Sequence, residues 1–373
     1  MIPAARPQLR LARFSAELEP AMAAALAAPQ LILGERLETF ERSFASYVGV
    51  PHCVGVNSGT DAVGLALRAC GVGPGDEVIT ASMTAAGTGM GILLAGAEPR
   101  FADVDPVTRC IDPDAIEAAV GPLTAAIVPV HLHGRFVEMT RVMEIAGRHA
   151  LVVVEDCAQA HGATDATGSR AGSFGTAAAF SFYPTKNLGC AGDGGAVVTR
   201  DAALAGRLRA LRSYGWEDDR RISAAAGFNS RLDELQAAVL EVMLGHLDEG
   251  NRERAGIAGE YREVLQPAAD AGALGLPAPD VGAVHHQFAI EVDERERLRD
   301  WLGKRGVGTG VHYPMGLHEQ PAFAATAPPG GLPVTERLAA RFVSLPIQPE
   351  VVGERATWIA ETVAEGVTQW AAS

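Results

Sequence analysis

Leu151-Val152-Val153-Val154-Glu155-Asp156-Cys157-Ala158-Gln159-Ala160-His161-Gly162 is the stretch on which the fold turns. Its four leading apolar residues leave a strand no wet face, and such a strand belongs inside a parallel sheet covered by helices. Two acids follow at once, and the carboxyl end of a central strand is where an open α/β sheet binds its ligands. Outward from this point, short apolar runs alternate with helical patterns. Strands are predicted at His52-Val56, Glu77-Thr80, Arg100-Val104, Ala125-Val130 and Leu151-Glu155. Helices are predicted at Thr60-Cys70, Ala85-Ala95, Pro113-Val120 and Val137-His149. That alternation indicates an α/β fold with a mostly parallel sheet. Ala177-Tyr183 and Gly195-Thr199 read as two more strands around a glycine-rich loop.

Beyond Arg231 the pattern is one long or broken helix to about Leu265, with Gly245, Gly250, Gly256 and Gly259 as expected interruptions. Pro267, Pro277 and Pro279 then mark a linker. A strand at Val284-Val292, a helix near Glu294-Arg305, a strand near Thr309-Tyr313 and terminal helices complete the chain. The expected division is a large domain over 1–245 and a smaller C-terminal α+β domain over 246–373.

Composition narrows the function. The 373 residues carry a formal charge of -14, which argues against a nucleic-acid backbone as the main partner. No apolar run reaches the roughly 18 residues a spanning helix needs, and the N-terminal stretch lacks the apolar block of a secretory signal. The five cysteines are scattered and form no CxxC pair, which fits a reducing cytoplasm and neither a disulfide framework nor a zinc cage. Only two lysines occur, Lys186 and Lys304, against 29 arginines. Arginine replaces lysine on a surface but stays protonated and forms no imine. A lysine kept inside an apolar, glycine-rich stretch is therefore a candidate for lysine-specific chemistry.

Three segments carry that chemistry. Asn57-Ser58-Gly59-Thr60 lies between a strand and a helix, where free backbone amides can meet an anion; taken alone, it reads first as an ordinary helix cap. Asp156 at its strand end could keep a pyridine nitrogen protonated, with Gln159 bonding a ring hydroxyl; taken alone, it reads equally as an Asp capping the next turn. Phe180-Ser181-Phe182-Tyr183-Pro184-Thr185-Lys186-Asn187-Leu188-Gly189 sets a desolvated amine ahead of glycines, which favours its neutral, nucleophilic form. Ser181 would point towards a phosphate. The order suits a phosphate, a pyridine nitrogen and an aldehyde in turn. His131 and His133 alternate near a strand end, and His285-His286 form a second pair, but neither brings further ligands for a metal.

With these residues in view, the chain resembles the DegT/DnrJ/EryC1/StrS family of fold-type-I aminotransferases along nearly its whole length. The matching stretches are Asn57-Ser58-Gly59-Thr60-Asp61-Ala62, Asp103-Val104-Asp105-Pro106, Pro129-Val130-His131-Leu132-His133-Gly134, Glu155-Asp156-Cys157-Ala158-Gln159, Ser181 to Gly195, Gly227 to Ala238, and Val311-His312-Tyr313-Pro314. The resemblance implies pyridoxal 5'-phosphate as cofactor, held as a Schiff base by Lys186, with Asp156 on the pyridinium nitrogen and Gln159 on the ring oxygen. Ser58, Gly59, Thr60 and Ser181 would bind the phosphate, and Asn229 would reach the phosphate of a neighbouring subunit in a homodimer. His312 and Tyr313 would line the sugar pocket, again across the subunit boundary. The sequence departs from the family at Ala85 and Ala86, where an aromatic residue commonly stacks on the cofactor ring; either another side chain, such as Met83 or His131, covers part of that face, or the face is looser.

The same resemblance implies amino transfer from L-glutamate to a nucleotide-linked keto-6-deoxyhexose. Phe182-Tyr183-Pro184 and His285-His286-Gln287-Phe288 look more like enzymes for 3-keto sugars than for 4-keto sugars. Cyclitol ketones are a further alternative, and a non-catalytic regulatory paralogue a remote one. Dehydratases of the family carry histidine in place of the lysine, so Lys186 argues against them.

Overall fold

The computed structural model describes residues 1–216 and 221–371. Seven strands form the main sheet: β1 (His52–Val56), β2 (Glu77–Ala81), β3 (Glu98–Ala102), β4 (Thr124–Val128), β5 (Val152–Asp156), β6 (Ala177–Ser181) and β7 (Gly195–Thr199). Their order is β1-β7-β6-β5-β4-β2-β3, and only β7 runs against its neighbours. Ala126 pairs with Val152 and Val154 with Ala177, which puts β5 at the centre. Every residue of β6 and β7 is buried, as a strand covered on both faces should be.

Helices close both faces. Glu35–Val48 buries Leu37, Phe40, Glu41, Phe44, Ala45 and Val48, a 3-and-4 spacing that makes one stripe, and Gly49 ends it with φ of 88°. Phe44 meets Phe180 edge-on at 4.9 Å and Phe182 at 5.3 Å, seating this helix beneath the strand that leads to Lys186. On the opposite face, Val63, Leu67, Leu204 and Leu208 pack on Val54, Val56, Val154 and Val197. A separate core gathers Tyr261, Phe288, Ile290, Val343, Ile359 and Val363 around the antiparallel pair β8 (Phe288–Glu291) and β9 (Phe342–Leu345). Ile2 belongs to this core and bridges Val307.

The expected strands appear, with β3 two residues early. The C-terminal part departs more. Thr309-Tyr313 is no strand, having only a bridge from Gly310 to Ser344; β8's true partner is the four-residue run Phe342–Leu345. Alternation is too short there to register as a strand. The long helix breaks between Glu234–Gly245 and Leu247–Asp270, whereas Gly250, Gly256, Gly259 and Pro267 all lie inside the second piece. Its buried stripe of Leu247, Ile257, Ala258, Tyr261 and Leu265 outweighs the poor propensity of those glycines. The helices Pro7–Arg13, Ser15–Leu26 and Glu35–Val48 were not anticipated from the sequence.

A methyl group at Gly256 or Gly259 would meet nothing within 4 Å. Gly256→Ala and Gly259→Ala are each expected to stabilise the protein by about 0.5–1 kcal/mol, read as a raised urea midpoint. A lowered midpoint at either position would mean that this helix face is covered.

Candidate active site

The carboxyl ends of β1, β2, β4, β5 and β6 share one edge of the sheet, because these strands are mutually parallel. The segments that follow them bring together Ser58, Thr84, His131 to His133, Asp156 to Gln159, and Ser181 to Lys186.

Ser58 caps the Gly59–Ala69 helix, its Oγ accepting from the Asp61 amide at 3.1 Å. The cap reading holds, and it leaves room for the other. The cap satisfies Asp61, while the amides of Gly59 and Thr60 have no acceptor within the helix. A Cβ on Gly59 would stand 2.5 Å from Ser181 Cβ, so only glycine lets the helix start approach β6. The half-buried hydroxyl segment Ser58 to Thr60 and Ser181 thus form one cradle with the positive end of a helix in it.

Asp156 is 5% exposed and firmly held. Its Oδ1 accepts from the Ala158 amide at 3.0 Å, and its Oδ2 from Thr88 Oγ1 at 2.8 Å. Thr88 in turn bonds Thr84 at 2.8 Å. Neither threonine stood out in the sequence; the signal was that Ala86–Ala95 starts beside a strand end and must turn its first-turn side chains towards β5.

Gln159 is fixed in both directions. Its Oε1 accepts from the His133 amide at 2.6 Å, which leaves its amide nitrogen to donate to Tyr313 Oη at 3.0 Å. His133 Nε2 donates to the His312 carbonyl at 3.1 Å, and His312 Nδ1 bonds Ser344 Oγ at 2.9 Å. His312 and Tyr313 therefore line the site of their own chain, a correction to the expectation that they act across a subunit boundary. Burial raises the Tyr313 hydroxyl to about 12, so it remains a neutral donor.

Lys186 sits half-buried in the loop after β6. Burial pulls its amine down to about 8, with Asp156 acting in the opposite direction. His161, His286 and His312 surround it. Burial first, and the charge of Lys186 second, hold His161 at about 3 and His312 at about 4 and push His286 well below its ordinary value. All three are neutral, so Asp156 is the anion that faces the amine. His161 is fully buried between Phe180 and Phe182 with neither ring nitrogen hydrogen-bonded. Asn187 fastens the loop, donating to the Val284 carbonyl and Asn251 Oδ1 at 2.9 Å and bonding His286 Nδ1 at 3.1 Å.

Two expectations fail. Met83 is fully buried in a core cluster with Ala81, Val104 and Leu132, so it offers no surface to a ring in the cleft. His131 is buried as well: its Nδ1 accepts from the Val137 amide at 3.0 Å, so Nε2 carries the proton donated to Glu155 at 3.1 Å. The aromatic ring brought to Asp156 and Gln159 is instead Tyr313. The same bonds dispose of a metal at His131, Glu155 and Cys157, whose ligand atoms lie within 4.8 Å of one another. Both imidazole nitrogens are spent, and Glu155 also accepts from the amides of Gly172, Phe174 and Gly175. Asn229 is exposed in a segment bridged to Ser213, and its neighbour Ser230 accepts from the Asn57 amide at 3.1 Å and donates to Asp61 at 2.6 Å.

The model of the DegT/DnrJ/EryC1/StrS aminotransferase family matches residues 13–364. The chain belongs to this family. It is 46% identical to the dTDP-3-amino-3,4,6-trideoxy-alpha-D-glucose transaminase of Streptomyces venezuelae over 94% of this chain and 92% of that one. It is 43% identical to a pleiotropic regulatory protein of Geobacillus stearothermophilus, with 90% of each chain covered. The crystal structure of DesV from S. venezuelae in complex with a ketimine intermediate superposes with a TM-score of 0.93 at 44% identity, covering 98% of both chains. The sheet and its flanking helices are those of a fold-type-I aminotransferase. Among the described residues no helix is long and apolar enough to cross a membrane.

With only two lysines, the state of Lys186 can be read directly. In cofactor-free protein, acetylation of Lys186 by acetic anhydride, quantified by mass spectrometry, is expected to rise roughly tenfold between pH 7 and 9 and then level off, as an amine of pKa near 8 requires. A rate still climbing steeply at pH 10 would contradict the desolvated site.

Proposed function

We propose that this aminotransferase uses pyridoxal 5'-phosphate to move an amino group from L-glutamate to a nucleotide-linked 3-keto-6-deoxyhexose. The observation that carries the reading is one cleft edge holding a desolvated lysine, a fixed carboxylate and an anion cradle, in the arrangement of an aldehyde-, nitrogen- and phosphate-bearing ring. The cofactor fits the residues present: Gly59, Thr60, Ser58 and Ser181 for its phosphate, Asp156 for its ring nitrogen, Gln159 for its ring oxygen and Lys186 for its aldehyde. When bound, it supplies an electron sink that stabilises negative charge on the carbon being deprotonated.

The protein's own part is orientation and proton transfer. Thr88 and the Ala158 amide hold the Asp156 carboxylate in one rotamer, so it meets a ring nitrogen without reorganising. Lys186 Nζ, neutral over much of its range near pH 8, takes the Cα proton of glutamate. In the second half-reaction it delivers a proton to the carbon that was the sugar ketone. Tyr313, neutral and bonded to Gln159, is proposed to line the sugar pocket together with His312.

Asn229, exposed in this chain, is proposed to complete the phosphate site of a second subunit, which makes the enzyme a homodimer. A cofactor-binding large domain over 1–245, a small domain over 246–373 and a cytoplasmic setting belong to the same reading. The 3-keto position is favoured over the 4-keto by the 3-amino sugar named for the S. venezuelae transaminase. The regulatory name of the Geobacillus relative favours a second reading, a cofactor-binding protein that acts through partners.

Incubation of the loaded protein with L-glutamate and dTDP-linked 3-keto- or 4-keto-6-deoxyglucose, followed by mass spectrometry, separates these readings. The 3-keto sugar is expected to be aminated, with Lys186→Ala slower by at least about a thousandfold. Amination of the 4-keto sugar alone would move the ketone position. No turnover with either sugar, despite bound cofactor, would favour the regulatory reading.

A further inference from the structure

We infer that Arg10, far from Lys186 in sequence, is a positioning residue for it, acting by clamping the backbone of the lysine loop. Arg10 lies in the helix Pro7–Arg13 and is 8% exposed. Its Nη1 donates to the carbonyls of Lys186 at 2.7 Å and Asn187 at 2.9 Å, and its Nη2 to the carbonyl of Pro184 at 2.8 Å. Three carbonyls of one short turn thus converge on a single guanidinium, whose planar fork matches such an arrangement as a flexible ammonium does not. The turn is closed from within by the Lys186 amide, which donates to the Tyr183 carbonyl at 2.8 Å. A Cβ on Gly189 would stand 2.6 Å from Arg10 Nη2, so the loop's glycine makes room for the clamp.

This arrangement has a cost that structure alone does not require. Burial disfavours the Arg10 charge, only partly offset by Glu350, and its buried Nε has no hydrogen-bond partner. What the charge achieves is a fixed Lys186 carbonyl, and with it a fixed direction for the Lys186 side chain. The clamp's other end is equally firm. Arg6 and Gln348 exchange two hydrogen bonds, at 2.8 and 3.0 Å, and Ile2 pairs with the strand-like segment at Gly306 and Gly308, with both bonds at 2.7 Å. Arg10 therefore couples the core around β8 and β9 to the loop that carries the reactive amine. The titratable groups facing that amine are Asp156, His161, His286 and His312. His286 bonds Asn187 within the clamped turn and His161 feels the charge of Arg10, while the amine itself is set by burial and Asp156, so loosening the loop acts on Lys186 through its hydration and aim.

The inference rests on Lys186 being the cofactor lysine, and the test keeps the two apart. Arg10→Met and Arg10→Lys are compared with wild type in cofactor-free form, first for fold by circular dichroism and thermal melting. Acetylation of Lys186 against pH is then measured, with Lys304 counted in the same digest, followed by the rate at which added pyridoxal phosphate is trapped on Lys186 by borohydride. In Arg10→Met the midpoint of Lys186 acetylation is expected to move up by about one pH unit, and trapping at pH 7.5 to slow about tenfold. Lys304 should be unchanged, and Arg10→Lys should fall between the two. In the loaded enzyme kcat should drop while KM for glutamate stays within about twofold. A folded Arg10→Met with wild-type Lys186 titration and trapping would overturn the inference, as would a loss of kcat with those two unchanged. If Arg10→Met does not fold, wild-type behaviour of Lys186 in Arg10→Lys overturns it alike. Failure of wild type itself to trap the cofactor on Lys186 would sink the functional reading instead.

Discussion

An ammonium ion gives up several kcal/mol of hydration when it enters the floor of a protein cleft, and it recovers that loss only by pairing or by shedding its proton. Lys186 is placed between these outcomes. One carboxylate, Asp156, opposes its burial, while the three histidines around it are neutral and return nothing. The result is an amine brought down to about 8, with a larger neutral share near physiological pH than an exposed lysine has. The loop that holds it is pinned from two directions, by Arg10 on its carbonyls and by Asn187 on Asn251, Val284 and His286. Such fixation is what a base needs in order to act at one carbon rather than in general.

The parallel sheet makes this possible at low complexity. Because β1, β2, β4, β5 and β6 run the same way, five loops open at one edge, and each needs to contribute only one or two groups. Glu155, one residue before the Asp156 proposed to meet the cofactor, shows the division of labour within a single strand. It points the other way, is fully buried, and gathers His131 and three backbone amides into the wall behind the site. Alternation along β5 thus turns one carboxylate to the cleft edge with Thr88 and the other into the wall behind it.

Much of this was legible in the sequence because it depended on local pattern. The apolar run before Asp156, the glycine between Ser58 and Thr60, and the scarcity of lysine each report on their own position. What escaped depended on pairing between distant segments. Arg10 looks like any arginine in a short amphipathic helix, and nothing near it announces a partner 176 residues away. Thr88 was hidden because its partner, Asp156, lies 68 residues away on another strand. The assignment of Met83 or His131 to the cleft failed for a related reason. Residues at a strand end can face either side, and only packing decides that both turn inward. His312 and Tyr313 were legible as site residues, but the strand expected over Thr309-Tyr313 is only a bridge from Gly310 to Ser344, and it is their bonds to His133, Gln159 and Ser344 that fix them in the cleft.

The most direct test of the central claim is the visible absorbance of the protein loaded with pyridoxal phosphate, before and after L-glutamate, beside Lys186→Ala. The account predicts a visible band in wild type that glutamate converts to the absorbance of the aminated cofactor, and no lysine-dependent band in the variant. A wild-type spectrum indistinguishable from that of Lys186→Ala, with the same response to glutamate, would show that Lys186 does not hold the cofactor and would contradict the account at its root.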